Sequence, residues 1–148
     1  MGNTQSLTGC FLRGKMDFME EHKMLSFEEL TQKIKSLPVD TVIPKPESEK
    51  DFTVKGVGMR RGEEALIYRI PTNNLEKYPH VHEKGVTFTE FYRAYTVLQE
   101  TSQFTRKWFN ENLSECAKEG DCNFTTIGGI FELLGIAAYS KPGTYMRK

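Results

Sequence analysis

The chain has 148 residues, the length of one domain, and its 20 Lys plus Arg balance its 20 Asp plus Glu to a formal charge of zero. That balance excludes a strongly basic nucleic-acid coat and an acidic tail, while 38% hydrophobic residues are enough to fill a core. The longest apolar run, 127–139, is broken by Gly128, Gly129, Glu132 and Gly135, so no segment reaches the roughly 20 apolar residues of a membrane span.

Residues 1–24 carry scattered Gly and polar residues and no run long enough for a secretory leader, so they read as a flexible N-terminal tail before a single α+β domain at 25–148. Their opening, Met1-Gly2-Asn3-Thr4-Gln5-Ser6, fits an N-myristoylation pattern. Membrane anchoring enters only if Gly2 is lipidated, with Cys10, Arg13 and Lys15 as the second signal. Met16, Met19 and Met24 equally allow a later start. Three cysteines, Cys10, Cys116 and Cys122, are an odd number in a chain that needs no staples, which favours a reducing, cytoplasmic setting. Cys116 and Cys122 flank a short polar loop and either pair or stand as free thiols.

Regular structure is expected from Ser26, which forms an S-x-x-E capping box with Glu29 while Leu25 staples onto Leu30. Phe27, Leu30, Ile34 and Leu37 stand at helical spacing, predicting a helix over 27–37 that Pro38 ends. Residues 39–51, with Pro44 and Pro46, read as an extended connector without a regular element. Alternation then takes over. Phe52, Val54, Val57 and Met59 mark a strand with a bulge at Gly56, residues 60–63 a turn, and 65–70 a second strand. Two strands are marginal alone, so a further strand is expected near 80–83.

Thr87 and Glu90 repeat the capping box and open a helix over 88–101 with Phe88, Phe91, Tyr92, Tyr95 and Leu98 on its core face. Ser102 is expected to cap a second helix over 103–117. Its Trp108 should sit in the core facing Phe91, Tyr95 and Ile130, so that Trp108→Ala would cost roughly 3 to 5 kcal/mol; the alternative is an exposed Trp108 that anchors a partner. Asn123 caps a third over 124–134, with Gly135 at its C-terminal end. Strands at 136–139 and 144–147, turned by Pro142-Gly143, complete the order helix, helix, helix, hairpin.

From Thr87 onward this order resembles a winged helix-turn-helix, with 136–148 as the wing; the likeness covers less than half of the chain. In that family the third helix enters the major groove and the wing touches the backbone. Carried over by position, the resemblance implies groove contacts from Asn123, Thr125, Thr126, Gly129 and Glu132, and phosphate contacts from Lys141, Tyr145, Arg147 and Lys148. The third helix has no Lys or Arg, however, and nucleic-acid affinity comes mostly from basic side chains. The expected function is therefore a small binding protein, either of winged-helix type acting on DNA or a protein-protein interaction module or homodimer without catalysis. Gly128 and Gly129 in a helix interior imply a close approach there, by a partner or by the chain's own second helix.

No nucleophile with a base, carboxylate pair or phosphate-cradling loop stands at usable spacing, so no catalytic residue and no cofactor is assigned. Gly56-Val57-Gly58 lacks the third glycine and the helix of a dinucleotide fingerprint. His80 and His82, with Glu83 or His22, offer only weak metal spacing, and surface histidines are the expectation. Arg60 and Arg61 are expected at a solvated hairpin tip.

Overall fold

A computed structural model describes residues 24–71 and 82–148. The expectations for Gly2, Cys10, His22 and His80 fall outside those residues. Helix α1 (Phe27–Lys35) opens on the expected capping box: the Ser26 hydroxyl accepts from the Glu29 N–H at 3.0 Å, and the Glu29 carboxylate accepts from the Ser26 N–H at 2.8 Å. It ends before Leu37, where Ser36 closes the last turn by donating its hydroxyl to the Lys33 carbonyl.

The connector after α1 is not free of regular structure. It contributes β1 (Val42–Ile43), paired antiparallel with the start of β2 (Phe52–Arg60). The cause is local: Asp40 adopts φ 72°, so that its N–H and the Thr41 carbonyl both bond Val54. Strand β2 turns into β3 (Glu63–Arg69) through Arg61 and Gly62, at φ 49° and 79°, the pair of positive angles that a two-residue hairpin requires. The register slips between Val54 and Gly56, at the bulge the sequence pattern marked. The fourth strand, β4 (Glu83–Thr87), begins where the further strand expected near 80–83 was to end, and the sheet order is β1-β2-β3-β4.

Thr87 closes β4 and caps α2 (Phe88–Thr101), so sheet and helix share one residue. The expected second helix over 103–117 is broken into three elements. Ser102 does not cap it; it ends α2 in the left-handed conformation at φ 69° and redirects the chain. The chain then forms β5 (Gln103–Thr105), α3 (Arg106–Asn112) capped by Thr105, and α4 (Ser114–Glu119) after a break at Leu113. Helix α5 (Asn123–Leu133) is succeeded by Gly135 at φ 73°, then by β6 (Ala137–Lys141) and β7 (Thr144–Arg147). Strand β5 pairs with β7, which gives a second sheet in the order β5-β7-β6.

The architecture is α+β, and one core joins both sheets. Leu30 and Ile34 of α1, Leu66 and Tyr68 of β3, Phe91 and Leu98 of α2, and Ile127, Ile130 and Phe131 of α5 are all buried in it. At its centre Phe104 lies 4.9 Å from Phe124 and 6.4 Å from Tyr145, ring centre to ring centre. Such ring pairs add about 0.5 to 1.5 kcal/mol each beyond their buried area. No helix among the described residues is long and apolar enough to cross a membrane.

Candidate functional site

Helix α5, the one matched to a groove-reading helix, is packed against the rest of the chain along the positions that would have to face a duplex. A Cβ on Gly128 would overlap the Tyr145 ring of β7, and one on Gly129 would lie 2.5 Å from the Pro44 carbonyl oxygen and 2.6 Å from Ile43. The close approach that the two glycines permit is thus made by β7 and by the end of β1 with the proline that follows it, not by the second helix. Asn123 is not a cap. It is fully buried within the first turn, where its amide donates to the Cys116 carbonyl at 2.9 Å and accepts from the Tyr68 hydroxyl at 2.6 Å. Thr126 is equally buried, and its hydroxyl accepts from the Lys45 ammonium at 2.7 Å.

The remaining expected contact residues divide in two. Tyr145 is fully buried, with its hydroxyl unpaired among the described residues and pushed up in pKa by burial, so it has no surface to offer a phosphate. Glu132 folds back to accept from the Tyr139 N–H at 2.9 Å. Lys141, Arg147 and Lys148 are exposed on the hairpin, although Arg147 also donates to the Gln99 carbonyl at 2.6 Å. Thr125 is half-buried and lines a cleft.

That cleft, about 260 Å³, lies where the β1–β2 connector crosses the start of α5. Its floor holds Lys45, whose ammonium donates to the Cys122 carbonyl at 2.9 Å, the Thr125 hydroxyl at 2.9 Å and the Thr126 hydroxyl at 2.7 Å. The same ammonium stands 4.3 Å from the Phe52 ring centre and 5.6 Å from that of Tyr68. Burial, opposed by the Cys122 thiol and aided by the Arg106 charge, draws its pKa from 10.5 down to about 7. Arg106 lies with its guanidinium carbon 4.6 Å from the Phe124 ring centre and donates to the Asp121 carbonyl at 2.8 Å. Cys122 and Cys116 are both free thiols. Tyr68 spends its proton on Asn123, so at 3.1 Å the Cys122 S–H is the donor to the Tyr68 oxygen.

Sequence reasoning passed over Lys45. The signal was present in Pro44-Lys45-Pro46, because two prolines fix the backbone on either side of one lysine and restrict where its side chain can point.

Trp108 also departs from expectation. It packs edge-on against Phe104 at 6.0 Å but is only half-buried, in a groove of about 260 Å³ beside Tyr92, Arg93, Thr96, Val97 and Glu100 of α2. With the break at Ser102, α3 buries Phe109 fully in the core and Trp108 only in part, at its edge. Tyr92 meets the exposed ring of Phe27 edge-on at 5.7 Å, which extends the aromatic face onto α1.

The hairpin tip is docked and not solvated. Arg61 bonds both carboxylate oxygens of Glu90, at 2.8 and 2.7 Å, as well as the Gly85 carbonyl and Glu119, while Arg60 reaches Glu119 at 3.2 Å. Among the described residues no group of three or more His, Cys, Asp or Glu is placed to hold a metal ion. No family model, no curated protein and no solved structure matches the chain.

Proposed function

We propose that this is a small non-enzymatic binding protein that acts by protein-protein contact, through the aromatic face formed by Phe27, Tyr92 and Trp108. The observation that carries the reading is Trp108, which packs on the edge of the core yet lines an open groove. Trp, Tyr and Arg dominate interface hot spots, and three of the groove residues, Trp108, Tyr92 and Arg93, are of those kinds. The Trp108 indole N–H has no hydrogen-bond partner among the described residues, so a partner with an acceptor and an apolar side chain suits the groove. Phe27 and Met24, both exposed, continue the apolar surface on one side.

Two measurements test this. Sedimentation velocity across a concentration series shows whether the partner is a second copy. A photo-crosslinking residue at position 96, inside the groove, should form one dominant adduct in host-cell extract, and Trp108→Ala should abolish it. Adduct formation indifferent to Trp108→Ala would overturn the reading.

The order of the second sheet, with its exposed Lys141, Arg147 and Lys148, favours one other reading: backbone contact with DNA through the hairpin alone. It needs no contribution from α5.

A further inference from the structure

Four charged side chains share the cleft beside α5, and none is in ion-pair contact with another or with any other described residue. Elsewhere the chain pairs its part-buried charges, as Arg61 does with Glu90 and Glu119. In the cleft the two signs are separated by depth: Lys45 and Arg106 are half-buried, whereas Glu47 and Asp121 are exposed at the rim. The Lys45 ammonium spends its N–H groups on the Cys122 carbonyl, Thr125 and Thr126, so it gives the floor a fixed charge and no free donor. Arg106 differs. Its backbone N–H is anchored on the Gly143 carbonyl at 2.9 Å, and its guanidinium carbon stands 4.6 Å from the Phe124 ring centre. One side-chain N–H is used, on the Asp121 carbonyl, and the others have no partner among the described residues. A guanidinium fixed on an aromatic face with donors to spare is suited to take a carboxylate by two parallel hydrogen bonds.

We propose that this cleft binds a small zwitterion, a free α-amino acid with an apolar side chain, whose carboxylate lies on Arg106, whose ammonium reaches Glu47 or Asp121, and whose side chain packs on aromatic walls. Those walls are Phe52, Phe124 and Tyr139, and the volume of about 260 Å³ limits the occupant to a small molecule. Tyr139 also donates to Glu47 at 3.4 Å, which keeps that carboxylate at the rim and away from the floor. The charge pattern selects against simpler ligands. A plain anion meets two carboxylates on its way in, and a plain cation meets the Lys45 and Arg106 charges at the end of it. Only a ligand that carries both signs, a few ångströms apart, is complementary to floor and rim together. The proposal concerns binding alone and does not rest on the Trp108 face, which belongs to α2 and α3.

The test titrates the full chain with L-leucine, L-methionine and L-phenylalanine and follows the backbone amides by NMR. It is run at pH 6, below the Lys45 pKa of about 7, so that the ammonium is charged. At least one of the three should produce saturable shifts at residues 121–125 and at Gly143, with a Kd of about 1 mM or tighter. The N-acetyl form of that amino acid lacks the ammonium and its amide lacks the carboxylate; each should bind roughly tenfold or more weakly, the loss of one charge-assisted contact. Arg106→Gln should erase the preference over the amide, and Glu47→Gln combined with Asp121→Asn the preference over the N-acetyl form. Absence of saturable shifts in the cleft with all three amino acids overturns the proposal on the parent protein alone. So does an N-acetyl form or an amide that binds as tightly as the free amino acid. A preference that survives its matching variant overturns the role given to that charge.

Discussion

Helices α2 and α5 both feed the same core, yet they do opposite work. Helix α2 buries Phe88, Phe91, Ala94, Tyr95 and Leu98 and leaves Arg93 and Glu100 in solvent, so it has an outer face to present. Helix α5 is buried continuously from Thr126 to Phe131, with β7 against Gly128 and the Pro44 carbonyl against Gly129. A helix with so little solvated face is a strut between two sheets. Position in a familiar element order therefore says little about availability: the helix matched to DNA reading is less accessible than the one matched to support.

The largest effect should come from breaking the strut. Gly128→Ala and Gly129→Ala each force a methyl into an occupied site, one of them against backbone that cannot step aside, and should cost about 3 kcal/mol each. Thr96→Ala in the open groove of α2 should stay within about 0.5 kcal/mol. Urea unfolding of the three variants checks the contrast, and equal costs would remove it.

Next in size is Arg61→Ala, which leaves two carboxylates without their shared cation at the start of α2 and the end of α4; about 2 kcal/mol is expected for a pair that is only partly buried. Burial pushes the Glu90 pKa up, but the Arg61 hydrogen bonds and the Thr87 N–H outweigh it and hold the carboxyl below its ordinary 4.5. A carboxylate depressed in the folded state stabilises above the unfolded pKa and loses that contribution as pH falls through the folded one. Stability should therefore drop below about pH 4.5, and Arg61→Ala should flatten that drop. Thermal midpoints between pH 3 and 6 measure both.

Smaller again is Trp108→Ala. A ring that keeps part of its surface in the groove should cost less than a fully buried one, about 2 kcal/mol, and its emission should lie to the red of a fully buried tryptophan's and be open in part to iodide quenching. A blue-shifted, unquenched Trp108 would put α3 in a different rotation and close the groove. The smallest effect on stability belongs to Lys141→Ala, Arg147→Ala and Lys148→Ala combined, within about 0.5 kcal/mol per site. If the hairpin meets DNA, the triple variant should weaken unrelated duplexes alike and flatten the salt dependence of anisotropy titrations. No binding by the parent protein at low salt would end that reading.

Whatever neighbours along the chain set was legible before any coordinate. Ser26 with Glu29 and Thr87 with Glu90 announce two helix starts, because a capping box needs only residues three apart. Gly56, Gly62 and Gly135 mark a bulge, a hairpin turn and a helix end, since each adopts a positive φ that other residues resist. The remainder needed the folded chain. Nothing local makes Ser102 left-handed; the pairing of β5 with β7, where Phe104 lies opposite Tyr145, splits the expected helix and leaves Trp108 at the edge of the core. Nor does any local pattern bring Lys45 to Thr125 and Thr126, eighty and eighty-one residues on, or close the face of α5. The physical reason is that a hydrogen bond within one turn is fixed by backbone geometry, whereas a contact across the core exists only when two distant surfaces fit each other.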